Sequence, residues 1–347
     1  MENLINGGME VPDTLNIAPP AVPVAVATDM LAREYGIAAR SLTPLTSERD
    51  TNFKVESDKG LFVLKFANVG ERHDVTRLQT AALLHLQNHA PALAVPRMVP
   101  ALSGAMETEW NGSLVRVLSW LEGLPLHMAP RSATQRRNIA RVSAGIGQAL
   151  SAFRFEGGEQ DLQWDIQHAL RLRADVEAVE ASGRPLVVAA LDRFELHAAP
   201  LLPKLRRQFV HGDLNPYNLL VSPQNPDEVT GILDFGDMVK TPLVTDLAIA
   251  AGYHAATGDD VMQSLGDFIA AYHELLPLEV REIGILPELI MARFATTLVI
   301  TSWRAKRYPE NSVYILRNAP TAWAGLRQIL AVPRDEAVSH FRKACGA

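Results

Sequence analysis

The segment 209–238 constrains the fold more than any other part of the chain. Two short apolar runs, Leu219-Leu220-Val221 and Val229-Thr230-Gly231-Ile232, read as strands joined by a Pro/Asn/Asp loop. A polar run stands before the first, His211-Gly212-Asp213-Leu214-Asn215-Pro216-Tyr217-Asn218, and another follows the second, Asp234-Phe235-Gly236-Asp237. The start of one hairpin strand and the end of its partner lie at the same end of the hairpin, so the two polar runs must meet. The rest of this half of the chain is helical in character: 133–153 and 163–181 are amphipathic, and a helix-rich tail fills 243–330.

The meeting of these runs has a chemical reading. A loop Asp followed five positions later by Asn can offer one group to a substrate hydroxyl and the other to a metal. The Asp after the hairpin can chelate the same metal from the opposite side. Phosphoryl transfer needs these parts, together with positive charge on the phosphates. Mg²⁺ takes hard oxygen ligands and keeps water and phosphate in its remaining positions, so one Asp and one Asn suffice.

Upstream the pattern is different. Thr51–Glu56 alternates, Ser57–Gly60 turns, and Leu61–Phe66 continues as a second strand. Residues 71–89 place Val75, Leu78, Ala82, Leu83 and Leu86 near helical spacing. A second hairpin, Met106–Trp110 with Ser113–Ser119, flanks Asn111-Gly112, a type I′ turn signal. The result is a small sheet carrying one helix. Residues 1–27 are expected to form an extended arm, because Ala18–Pro23 is proline-rich, and Thr28 is expected to cap a short helix ending at Gly36. The organisation read from the sequence is therefore an arm over 1–27, a sheet lobe over 28–121 and a helical lobe over 122–347.

The chain has 347 residues, too many for one ordinary core. A net charge of −6 argues against a nucleic-acid partner, which needs clustered Lys and Arg. The single cysteine, Cys345, can form neither an internal disulfide nor a cysteine zinc site. The apolar stretch 283–303 contains Glu288 and Arg293, so it reads as a buried helix and not a membrane span. No positive n-region or apolar h-region opens the chain, and a cytoplasmic location without a membrane partner is expected. Nothing in the sequence specifies an oligomeric state.

His-Gly-Asp-x-x-x-x-Asn followed by Asp-Phe-Gly resembles the catalytic and metal loops of the aminoglycoside phosphotransferase and choline kinase group, whose fold is that of protein kinases. The resemblance implies an α+β, two-lobed fold with a small N-terminal antiparallel sheet lobe carrying one helix and a larger helical C-terminal lobe. It implies Asp213 as catalytic base, Asn218 and Asp234 as Mg²⁺ ligands, and His211 and Asp246 as braces of the catalytic loop. Lys65 ends an apolar strand where such folds keep the lysine that binds the phosphates of ATP or GTP. Ser47 and Asn52, in the loop 46–52, are candidate phosphate contacts. The backbone from Ser119 to Leu121 falls at the hinge that would bind the base. Two departures stand out. Gln79 occupies the place of the glutamate that should pair with Lys65, and the phosphate-covering loop is not glycine-rich.

Within this group, Gly231–Met238 and the stretch Arg293–Asn311 resemble the hydroxylysine kinase family. That resemblance implies a small amino alcohol as acceptor, with 5-hydroxylysine first; aminoglycosides, choline and homoserine are the rivals. A hydroxylysine-like acceptor calls for acidic partners such as Asp237 or Asp165 and one arginine, Arg304 or Arg293. Trp164, Trp303 and Tyr308 are candidate pocket walls. A reading from another class, an inactive nucleotide-binding pseudokinase, rests on Gln79 alone. A protein kinase is disfavoured, because no Ala-Pro-Glu segment follows Asp237.

Overall fold

The computed structural model describes residues 17–47, 49–255 and 260–346; the first sixteen residues of the expected arm lie outside them. Six antiparallel strands form the N-terminal sheet: β1 Ala39–Leu45, β2 Thr51–Ser57, β3 Gly60–Phe66, β4 Met98–Val99, β5 Thr108–Trp110 and β6 Ser113–Ser119. Their order is β1-β2-β3-β6-β4, with β5 also paired to β6. Asn111 (φ 48°) and Gly112 (φ 82°) both take the left-handed conformation that a tight β5–β6 hairpin requires.

Alternation along the strands gives the sheet two faces. Phe53, Val55, Leu64, Phe66, Val115 and Val117 pack against Leu31 and Tyr35 of helix α1 (Val24–Tyr35). The opposite face carries Asn52, Lys65 and Arg116, which the register sets in one row across β2, β3 and β6. Helix α2 (His73–His89) lies on that face and sends Leu78, Ala82, Leu83 and Leu86 into the large second core.

Helix α1 begins four residues before the expected start at Thr28. Pro23 holds the N-cap position with φ −62° and ψ 140°, and the Thr28 hydroxyl instead bonds back to the Val24 carbonyl. A proline has no N–H to contribute to a helix interior, so the helix starts immediately after it. Before it, the Pro20 carbonyl accepts from the Thr51 hydroxyl at 2.6 Å, which ties residues 17–23 to the sheet edge.

The C-terminal part is built of α3 (Ala133–Ala149), α4 (Arg184–Arg193), α5 (Leu243–Ala255), α6 (Val261–Leu275), α7 (Leu286–Arg307), α8 (Ala319–Ala331) and α9 (Arg334–Ala344). The expected helix over 163–181 is instead a 3₁₀ run, Ile166–Ala178, kinked at His168. Its buried residues Ile166, Ala169 and Leu172 recur every three positions, the repeat that keeps one face inward at three residues per turn. Helix α7 is buried on all sides from Leu286 to Thr301. Its Glu288 is fully enclosed and faces two arginines, Arg193 at 3.1 Å and Arg334 at 3.3 Å. No helix among the described residues is long and apolar enough to cross a membrane.

Five short strands frame the polar loops. β8 (Arg207–Val210) pairs with β11 (Val239–Pro242), and β9 (Leu219–Val221) pairs with β10 (Val229–Ile232) and with β7 (Leu124–Pro125). Loop 211–218 runs from β8 to β9, and loop 233–238 runs from β10 to β11. Both loops are thus slung between the same two ladders and lie side by side.

Candidate active site

Side-chain and backbone bonds lock the two loops together. His211, fully buried, donates from Nε2 to the Leu233 carbonyl at 3.0 Å and accepts from the Asp213 N–H on Nδ1 at 3.3 Å. Its ring also packs edge-on against Phe235, centroids 4.8 Å apart. Asp246, on α5, accepts from the Gly212 N–H at 2.9 Å; burial pushes its carboxyl up, while His211 and that N–H oppose the shift. Gly212 sits at φ 81°, and a Cβ there would lie 2.4 Å from the Asp237 carbonyl oxygen. Only glycine permits that close approach of loop to loop.

A further brace comes from His254. Its Nδ1 faces the Arg131 guanidinium at 3.1 Å, which can only donate, so Nε2 carries the proton and donates to the Leu214 carbonyl at 2.7 Å. Burial, then Arg131, pulls the His254 pKa down to about 3, so the ring stays neutral. No local pattern in the sequence marks His254, because its partners, Arg131 and Leu214, come from distant parts of the chain.

Asp213 stands on the cleft floor. Its Oδ2 accepts from Asn215 Nδ2 at 2.7 Å and from Asn218 Nδ2 at 3.0 Å. Arg293 of α7 approaches Oδ1 to 3.5 Å. Burial, then Asp237, pushes the Asp213 carboxyl up to about 7 against the pull of Arg293. Asp234, at φ 57°, is one of two non-glycine left-handed residues among those described, and its Oδ1 accepts from the Gly236 N–H at 3.1 Å. Burial works against its charge, but Lys65 and Arg49 outweigh burial and hold its carboxyl below the usual range.

The cations of the sheet lobe are paired in an unexpected way. Lys65 Nζ lies 3.5 Å from Asp50 Oδ2, in the loop between β1 and β2. Gln79 turns instead to Arg116, accepting its Nη2 at 3.0 Å, while Arg116 Nη1 reaches the Thr76 carbonyl at 3.3 Å. Arg116 is 3% exposed; burial pulls its pKa down, and Asp50, Glu107, Glu71 and Asp234 oppose that pull. Arg49, beside Asp50, crosses the cleft to Asp237 at 3.0 Å, and Asp237, then burial and Asp234, act on a guanidinium whose pKa is raised overall. The loop 46–52 is polar and carries no glycine signature, and nothing local in it indicates that Arg49 crosses the cleft or that Asp50 meets Lys65.

Two cavities adjoin here. The polar one, about 330 Å³, is lined by Ser47, Asn52, Lys65, Asp213, Asn218, Asp234, Asp237, Trp164, Arg293 and Arg304. The other, about 560 Å³, is mostly apolar and runs between the sheet and the C-terminal part, with Leu45, Val63, Leu118, Leu220, Leu233 and Phe235 among its walls and Asn52, Lys65 and Asp234 shared with the first. Ser119, Trp120 and Leu121 line this second cavity. The Ser119 N–H is already donated to the Arg97 carbonyl and the Trp120 N–H to that of Leu61. That leaves the Leu121 N–H as the hinge donor without a recorded partner among the described residues.

Three residues expected at the acceptor pocket, Asp165, Trp303 and Tyr308, are not brought to the polar cavity. Asp165, 5% exposed, caps the 3₁₀ run and accepts from the Thr241 hydroxyl at 3.1 Å. Trp303 and Tyr308 lie outside the lining, the latter with Arg307 stacked on it at 5.9 Å. Residues spaced at 293, 301 and 304 share one helical face, and that face of α7 is the one that lines the cavity. Residues 303 and 308 point elsewhere.

The architecture is that of a two-lobed kinase. A solved microcompartment-associated aminopropanol kinase superposes with TM-score 0.68 at 20% identity, covering 89% of this chain and 98% of that one. An amicoumacin kinase, solved with AMP-PNP, Ca²⁺ and amicoumacin, superposes with TM-score 0.65 at 16% identity, covering 90% and 95%. The profile of the phosphotransferase enzyme family that includes aminoglycoside phosphotransferases matches residues 41–283, and the chain belongs to that family. It is a small-molecule kinase that phosphorylates an alcohol group. In sequence it is similar to the hydroxylysine kinase of Mus musculus, 28% identical over 345 residues and covering 90% of each chain.

Proposed function

We propose that the chain transfers the γ-phosphoryl group of ATP or GTP to the hydroxyl of a small amino alcohol, with 5-hydroxylysine the first acceptor to test. The observation that carries this reading is the convergence of Asp213, Asn218, Asp234 and Lys65 on one polar cavity that opens directly into an apolar slot. In this reading residues 28–121 hold the nucleotide and 122–347 supply the catalytic loops and the acceptor site. Asp213 takes up the acceptor's hydroxyl proton and aims its oxygen; a carboxyl lifted towards neutrality by burial suits a base at physiological pH. Lys65, Ser47 and Asn52 face the phosphates, and the Leu121 N–H faces the base.

The donor set fits Mg²⁺. Asn218 spends its Nδ2 on Asp213, which leaves its side-chain Oδ1 for a cation, and Asp234 uses only Oδ1 on the Gly236 N–H. When bound there, the ion neutralises charge on the β- and γ-phosphates.

A panel of 5-hydroxylysine, homoserine, choline and kanamycin, each with ATP and with GTP, tests the acceptor. Turnover of 5-hydroxylysine above the others is expected. Turnover of kanamycin with none of 5-hydroxylysine contradicts the amino-alcohol assignment, and nucleotide binding without turnover of any acceptor supports the pseudokinase.

The pairing of cations sets a second test. Asp50 supplies to Lys65 the counter-charge that Gln79 does not, so Asp50→Asn should raise the nucleotide KM. Gln79→Ala should act mainly on stability, because Arg116 loses a partner in a buried place, a cost of about 1–3 kcal/mol. Nucleotide KM values and melting temperatures of the two variants check this; the opposite pattern would mean that Gln79 serves Lys65 after all.

A further inference from the structure

The acceptor end of the polar cavity, beyond Asp213, holds three arginines, Arg293, Arg304 and Arg317. Arg293 is committed to the catalytic loop. It is 2% exposed and lies 3.5 Å from Asp213, with its guanidinium over the rings of Tyr253 at 4.8 Å and Trp164 at 5.4 Å. The carboxylate of Asp237 is likewise engaged, by Arg49. Arg317 is differently placed. Its guanidinium carbon stands 3.7 Å from the centroid of Tyr314 and 4.6 Å from that of Tyr217, so the group is in contact with both rings. Nη1 donates to the Tyr314 carbonyl at 2.9 Å, and Nε is buried without a hydrogen-bond partner among the described residues. No carboxylate among those residues lies within ion-pair distance of Arg317.

Arg317 is also anchored beside the reacting centre. Tyr217 belongs to the loop of Asp213, four positions on, and Arg317 acts electrostatically on Tyr253, whose hydroxyl bonds Arg293. A planar guanidinium fixed between rings, with bonding capacity left over and no counter-ion, is preorganised for a carboxylate, which it can grip through two parallel N–H donors. A polycationic acceptor would gain nothing from it and would meet like charge.

We infer that Arg317, held by Tyr217 and Tyr314, binds a carboxylate of the acceptor, which makes the preferred acceptors hydroxylated amino acids and not amino alcohols at large. This rests on the reading of the cavity as the acceptor site of an amino-alcohol kinase. It also assigns the carboxylate, for which the sequence suggested Arg304 or Arg293, to a residue that the sequence did not single out.

The test compares 5-hydroxylysine with 1,5-diaminopentan-2-ol, the same molecule without its carboxylate, on the wild-type chain, Arg317→Ala and Arg317→Lys. Wild type should favour 5-hydroxylysine in kcat/KM by about 10- to 100-fold, the range for hydrogen bonds to a charged group. In Arg317→Ala that ratio should collapse towards one, through the acceptor KM, and Arg317→Lys should keep part of it. Because the readout is a ratio within each preparation, a partly misfolded variant does not mimic it. Equal kcat/KM for the two acceptors in wild type, or an unchanged ratio in Arg317→Ala, overturns the role of Arg317 while the amino-alcohol reading stands. Turnover of neither acceptor by wild type overturns both.

Discussion

Asp213→Asn should lower kcat by about 10²- to 10⁴-fold, the range for loss of a positioned general base. Asparagine has nearly the same shape and can still accept from Asn215 and Asn218, so the loop keeps the bonds now recorded at 2.7 Å and 3.0 Å. What it cannot do is take up a proton. Its neutrality also removes one of three carboxylates crowded at the cleft floor, where Asp237 and Asp234 raise the Asp213 pKa. The variant should therefore fold, and its nucleotide affinity by titration calorimetry should stay close to that of the wild type. Steady-state turnover on the best acceptor of the panel is the measurement. Near-wild-type kcat would remove Asp213 from the proton transfer and leave it an orienting group at most.

Asp234→Ala should abolish the dependence of nucleotide affinity on Mg²⁺. The wild type should bind nucleotide more tightly with Mg²⁺ than with chelator, and the variant should bind equally in both. The reason is the placement of this carboxylate, shared by both cavities and drawn below its usual pKa by Lys65 and Arg49 against the cost of burial. Removing it leaves Lys65 with Asp50 and Arg49 with Asp237, and both cations stay in the cleft to meet the phosphates, so metal-free nucleotide should still bind. The substitution has a second consequence, since residue 234 is at φ 57°, a conformation in which alanine costs about 1–2 kcal/mol. Asp234→Asn tolerates that backbone and serves as the companion variant. A Mg²⁺ enhancement retained in both variants would move the metal site elsewhere.

The residues of the site differ in how far the sequence revealed them. Asp213, Asn218 and Asp234 could be singled out because chemistry imposes short, fixed spacings within a loop, and because a hairpin brings its two outer ends together whatever surrounds it. Lys65 was visible as the one charge near the end of an apolar strand, at the place where the resemblance puts a phosphate-binding lysine. Arg116 was not. It sits in an apolar run, Leu114 to Leu118, where an arginine carries no local sign that it will stand opposite Lys65 and bind Gln79. Arg49 and Asp50 carried none either, because their partners, Asp237 and Lys65, belong to other strands and loops.

The sequence by itself determined the elements and the reacting loops: the hairpins, the order sheet then helices, and the polar runs 211–218 and 234–237. These follow from periodicity, turn chemistry and local spacing, which act over a few residues. The tertiary structure alone decided which charge meets which. It gave Lys65 to Asp50, Gln79 to Arg116, Arg293 to Asp213 and Arg317 to its two tyrosines, and it turned Asp165, Trp303 and Tyr308 away from the cavity. A charged side chain can reach partners from several elements at once. The choice among them depends on burial and on how helix α7 and the 312–318 segment are placed against the catalytic loop, where Arg293 meets Asp213 and Arg317 meets Tyr217, and no local pattern in the chain encodes that placement.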